Sequence, residues 1–445
     1  MLTLARLERL PLFSCPFRAM FVATALWATV GIAVSGAAFS LGYPMPGVVG
    51  GVLAWHAHEL MFGVGLAAIA GFVLTAVPEF TDTPPLRARV SVAIASTWVA
   101  ARVAFWLSPI IGPWPAAAAE ISFAVTLPAL LGARLLRDPQ RRHRGFFWGL
   151  AAFAFVTAGF WFDVLRGDWP MRWIQAALDV MSILVVVAMS RISMRIVNDA
   201  LDARRPGAGG GAGGQGVTGA SVDAAHDDLP EYRARPPRRN LAIVVIALHA
   251  LASFVAPGSP VTGWIALATA AAVLNLLNDW HVGRALFGRW ASMLYAVYWT
   301  IALGYAWIGA ALLGAPIAAS GGTHLLTIGG MGLSIYAVLN IAGRMHAGRP
   351  LDERLWTPIG AALLVAAALM RAAAGIADAP AHALVTLSSL AWIAAWALVL
   401  VHLGPAWWGR RIDGGSGCEE WVAPELRSAP APRCDPAVPG LGAQR

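Results

Sequence analysis

Apolar residues gather in this chain into unbroken stretches about 20 residues long, each bounded by arginine, proline or glycine, instead of alternating with polar ones. Such runs fall at approximately 18–40, 52–77, 89–108, 114–136, 145–165, 170–197, 239–256, 260–279, 290–313, 320–343, 356–377 and 380–404. In a bilayer a run of that length must satisfy every backbone N–H and C=O within itself, so it crosses as a helix. The pattern predicts an all-α fold, a polytopic membrane bundle of about twelve transmembrane helices.

Two stretches break the pattern. Residues 202–238 are rich in Gly, Ala, Pro and Arg without periodicity, which predicts a flexible linker dividing the chain six plus six, into halves 18–201 and 239–408. Residues 409–445 are polar, with Pro and Gly and no core-forming spacing, and are expected to be a disordered tail. Alternate connections are nearly free of charge, whereas the others carry Arg87 and Arg89, then Arg134 to Arg144, then Arg204 and Arg205, then Arg284 and Arg289, then Arg344, Arg349 and Arg354. By the positive-inside rule segment 1–17, the linker and the tail are cytoplasmic. Segment 1–17 has no apolar core of signal-peptide length, so the first run is expected to stay as a span.

Composition narrows the class further. With 58% hydrophobic and 13% charged residues and a mean hydropathy of +0.64, the chain cannot cover a soluble globule, whose surface needs about a quarter charged residues. The 32 basic residues against 24 acidic are all arginine and lie mostly in loops at one end. They report topology; no nucleic-acid partner is expected. Cys15, Cys418 and Cys434 are odd in number, lack CxxC spacing and lie outside the runs, so neither a disulfide framework nor a thiolate metal site is implied.

Candidate chemistry starts in the second run, where Trp55-His56-Ala57-His58-Glu59-Leu60-Met61-Phe62-Gly63 puts two imidazoles and a carboxylate at the mouth of an otherwise apolar span. The topology places His56, His58, His324 and His382 near the outer ends of their helices and His249 in an outer half. His346 falls on the opposite side. Imidazole is the usual protein ligand of haem and of many metals, so this cluster is the expected haem or metal site. On a regular helix residues two apart face away from each other, so His56 and His58 cannot share one ion. His56 shares a stripe with Glu59 and Gly63, His58 one with Met61, Phe62 and Gly65, and the glycines permit close approach of a flat ligand or another helix. His324, above Gly329, Gly330 and Gly332, repeats the theme and is the expected partner of the second run. Arg102, Glu120, Asp179 and Arg371 are further intramembrane ionisable groups, for which mutual pairing is the ordinary expectation, with a haem-propionate clamp or a proton path as alternatives.

The stretch Trp55 to Gly63, continued by Ile69-Ala70-Gly71-Phe72-Val73-Leu74-Thr75-Ala76-Val77-Pro78 and Thr83-Pro84-Pro85-Leu86, resembles the signature of the NnrS family. Agreement extends to Pro16-Phe17-Arg18, Arg102, Leu178-Asp179, Arg191 with Asn198, Leu303-Gly304-Tyr305-Ala306-Trp307, His324 with Leu326-Thr327, and His346-Ala347-Gly348-Arg349-Pro350-Leu351. The resemblance implies a twelve-span bacterial inner-membrane protein that binds haem, of b type, and copper, and acts in the response to nitric oxide and nitrosative stress. Its partners would be nitric oxide or another small gas, the lipid bilayer and an unidentified electron donor. Carried over by position, His56, His58, His324, Glu59, Arg102 and Arg191 are implied as cofactor-binding, His56, His58, His324 and His346 as metal ligands, and Asp179 and Arg349 as supporting polar positions. The family pattern carries further histidines where this chain has Ala302 and Asn275, and Thr-Arg where it has Asn340-Ile341. These departures bear on copper, which needs several donors, more than on haem, which needs one or two. Two other classes share the architecture: a membrane redox enzyme of nitric-oxide-reductase type, and a secondary transporter.

Overall fold

Proline at or next to the first helical position, where its missing N–H is no loss, opens four of the spans, those that begin at Pro16, Trp114, Pro236 and Pro260. A computed structural model of the protein describes residues 4–43, 50–139, 141, 143–202, 235–281, 283–415 and 417–419. Twelve helices in it are long and apolar enough to cross a membrane: α1 Pro16–Leu41, α2 Gly51–Phe80, α3 Ala88–Trp106, α4 Trp114–Leu136, α5 Arg144–Arg166, α6 Met171–Asn198, α7 Pro236–Val255, α8 Pro260–Trp280, α9 Arg289–Leu312, α10 Ala319–Met345, α11 Trp356–Ala373 and α12 Ala381–Trp408. The chain is a multi-pass membrane protein with an all-α bundle, and each span lies within a few residues of its apolar run. Most of the linker and the tail beyond residue 419 lie outside the described residues.

Burial decides which spans are central. In their apolar windows α2 is 89% buried and α10 78%, whereas α7 is only 17% buried and turns most of its surface to lipid. The other spans pack in sequence around these two, and α12 against α1 closes the ring. Without a hydrophobic drive between helices in lipid, close backbone approach supplies much of the cohesion. A Cβ on Gly322 would sit 2.6 Å from the Gly304 carbonyl oxygen, and one on Gly309 2.8 Å from that of Gly263, so glycine sets the α9–α10 and α8–α9 contacts.

Both central spans depart from α-helix at corresponding places. α2 runs as α-helix to His58, widens into a π-helix over Glu59–Gly65, and returns to α-helix; α10 does the same after His324, over Leu325–Gly332. Each glycine-rich segment thus begins immediately after a histidine, and π-turns are enriched at functional sites.

The bundle has an arginine-poor end, where α1 leads to α2, and an arginine-rich end, where α2 leads to α3. At the arginine-rich end residues 409–415 and 417–419 fold back onto the bundle. Arg411 donates to the His346 and Gly417 carbonyls and pairs with Asp413, while Arg18 donates to the Trp407 and Gly409 carbonyls. Cys15 and Cys418 form a disulfide 403 residues apart in sequence. Spacing gave no sign of this pair, because only the return of the chain terminus to the start of α1 brings the two together.

Candidate functional site

Three groups of polar side chains are built into the half of the bundle nearer the arginine-poor end. The first surrounds Glu59, at the start of the α2 π-helix. Its carboxylate accepts from the Trp27 indole on α1, lies 3.0 Å from His58 Nδ1, and is 3.3 Å from an Arg102 nitrogen on α3. Arg102 also hydrogen-bonds Glu120 on α4, and His58 Nε2 is 3.5 Å from the same carboxylate. None of these four side chains is more than 3% exposed. One guanidinium therefore lies between two carboxylates in a fully buried site, where each charge is costly unless paired. Gly63 makes the room: a Cβ there would meet Arg102 at 2.6 Å and Trp27 at 2.9 Å.

His58 is further enclosed by the rings of Phe62, Phe105, Phe160 and Trp161, with both its nitrogens facing carboxylates. Glu59, placed by regular helical spacing on the stripe of His56, partners its neighbour His58 instead. The helix widens at this residue, and a carboxylate on a two-carbon stem reaches the adjoining ring.

His56 points to the opposite side, as two-residue spacing requires. Its Nδ1 is buried without a hydrogen-bond partner, and its ring packs edge-on against Phe39. His324 Nδ1 lies 2.7 Å from the Ser320 carbonyl oxygen, a bond that leaves its Nε2 for another partner. His56 and His324 are half-buried, interact electrostatically with each other, and both interact with Arg371 of α11. His56, His324 and Arg371 thus lie within electrostatic range of one another, while His58 is committed to Glu59 and Glu120. The glycines of both spans serve helix packing: Gly321 faces Trp307, Gly329 faces Thr300, Gly330 faces Ile301 and Gly332 faces Trp392.

The third group centres on Asp179 of α6. His249 of α7 lies 3.1 Å from its carboxylate, Tyr305 of α9 donates to it at 2.8 Å, and Ser253 lies 3.3 Å from His249 Nε2. Asp179 is buried by partners from two other spans, which its sequence neighbourhood could not name. Tyr305 was legible only as part of Leu303-Gly304-Tyr305-Ala306-Trp307, and His249 as an unassigned histidine. Trp27 carried no polar signal at all.

The remaining candidates sit at the arginine-rich end. His346 lies 2.7 Å from the Cys418 carbonyl oxygen through Nδ1 and 3.6 Å from Glu79 through Nε2. Arg191 stacks over Phe80 and Phe146, and Arg349 is in the connection after α10. Asp352, in the same connection, accepts from Arg344, Arg354 and the Trp356 indole, and the Arg354 hydrogen bonds hold its carboxyl well below the usual range. Among the described residues no three His, Cys, Asp or Glu side chains converge as a metal site requires.

The motif that carries His56, His58 and Glu59 thus supplies the π-turn and the ion network at the core of the bundle. The family model described as NnrS protein matches residues 11–411, taking in all twelve spans. The chain belongs to the NnrS family. No curated protein matches it. In this NnrS protein the signature around Trp55–Gly63 supplies the buried ion network of His58 and Glu59 and, through His56, an imidazole within electrostatic range of His324.

Proposed function

We propose that this NnrS protein binds haem at its arginine-poor end, between His56 and His324, and acts through it in the response to nitric oxide in a bacterial inner membrane. The observation that carries the reading is the histidine pair: two half-buried imidazoles on the two central spans, one with an unpartnered buried nitrogen and one held by Ser320 with its Nε2 left over. A hydrogen bond on the far nitrogen fixes the tautomer of a ligating histidine and orients its ring. Arg371, in electrostatic range of both rings, suits a propionate. Bound haem would supply an iron able to take nitric oxide at an open axial position.

The chain's own residues do the positioning. The Ser320 carbonyl orients His324, Phe39 shields His56, and the π-turns set where α2 and α10 place the two rings. His58 and Glu59, committed to Arg102 and Glu120, hold α2 to α3 and α4 and stay out of the ligand set. Copper is left out of the reading, since it needs several converging donors. The arginine-rich end would face the cytoplasm with both termini, leaving the haem end outward.

Optical spectra of the purified, haem-supplemented protein, oxidised and reduced, test this. A b-type band that shifts with nitric oxide, is lost in His56→Ala or His324→Ala and survives in His58→Ala is the expected result. Absence of a Soret band in folded protein, or its loss only in His58→Ala, overturns the assignment.

A further inference from the structure

Between α2, α6 and α10, with one side chain from α5, lies a partly open apolar pocket with a cavity volume of about 60 Å³ that no polar cluster touches. Its wall includes Gly65 and Ala68 of α2, Met181 and Ala188 of α6, Phe146 of α5 and Ser334 of α10. Ser334 donates its hydroxyl to the Met331 carbonyl, so its hydrogen is spent within its own helix. The rest of the lining is hydrocarbon, thioether and glycine. One water needs about 10–15 Å³ on the same measure and two to four polar partners, so there is space here for water but no bonding for it, and the lining favours an apolar guest.

The position is specific. Ala68 and Ser334 each lie ten residues beyond His58 and His324, past the π-helical segments. The cavity therefore begins where both π-helical segments end, on the seam between the two six-helix halves. Small residues keep it open: a Cβ on Gly65 would lie 2.8 Å from the Met181 methyl and 3.4 Å from the Met331 sulfur.

We propose that this cavity is a binding site for one small, uncharged, apolar molecule of diatomic-gas size. None of its lining residues is His56, His324 or Arg371, which keeps it distinct from the haem site. Three of its four walls belong to α2, α6 and α10, and α2 and α10 are the two most buried spans, so it favours a guest that dissolves in the membrane and passes between helices over an acyl chain entering whole. That the guest is nitric oxide rests on the reading above; that the site binds a gas does not.

Crystals of the full-length protein pressurised with xenon test the site directly. An anomalous xenon peak between Ala68, Met181 and Ser334 is expected, with its loss in Ala188→Phe, whose ring fills the space. Should that variant fail to fold, Ala68→Leu gives the same loss. No xenon peak in the wild type, a peak undiminished by filling, or an ordered acyl chain or water at this place overturns the proposal. A xenon peak in protein that lacks a Soret band overturns the haem reading alone; a Soret band without xenon overturns this one alone.

Discussion

Replacing Arg102 by leucine strands two carboxylates inside the membrane. Glu59 keeps its Trp27 and His58 contacts, but Glu120 keeps only His58 Nε2 at 3.5 Å. Breaking a buried ion pair by removing one partner costs about 3–5 kcal/mol, most of it from the charge left without compensation. Because Glu120 is 1% exposed and loses its principal partner, the cost of Arg102→Leu belongs at that level. Adding Glu120→Gln removes the more exposed of the two deficits, in bonding terms, and should recover a larger part of the loss than adding Glu59→Gln, which also gives up the Trp27 and His58 bonds. Reversible unfolding of the full-length protein in mixed micelles, followed by tryptophan fluorescence for the wild type and the three variants, reads these differences. A cost below about 1 kcal/mol for Arg102→Leu, the scale of a solvent-exposed pair, would refute the network as described. So would a double variant with Glu120→Gln that is less stable than Arg102→Leu alone.

Gly63→Ala should cost about 1–3 kcal/mol by overpacking against Arg102 and Trp27, whereas Gly145→Ala, with nothing within 4 Å of the added Cβ, should be neutral or slightly stabilising; the same unfolding assay ranks them. Asp352, its carboxyl lowered chiefly by the Arg354 hydrogen bonds, contributes stability that is complete above the ordinary carboxylate pKa of about 3.9 and is lost as pH falls through its lower folded value; Asp352→Asn should flatten that acid limb, and an unchanged acid slope in the variant counts against the account. Peptide mapping of protein purified without reductant should recover Cys15 joined to Cys418, with the link absent from Cys418→Ser; quantitative alkylation of both thiols would contradict it.

Much of this protein was determined by its sequence alone. Apolar runs of bilayer length admit only helices, so the twelve spans, their order and their alternating direction follow from backbone hydrogen bonding in lipid. The Trp55–Gly63 motif lies on the span that proves most buried, and His56 and His58, two residues apart, meet different neighbours. Tertiary structure alone decided which neighbours those are. Glu59 meets His58, Trp27 and Arg102 because a π-turn and the packing of α1 and α3 converge on it, and His56 comes within electrostatic range of His324 and Arg371 because α2 and α10 are both central. The Asp179–His249–Tyr305 group draws on three spans, and the Cys15–Cys418 bond joins residues 403 apart. Helical periodicity fixes the direction of a side chain about its own axis; the neighbour it finds depends on the rotation and depth of every other helix, which no local pattern encodes.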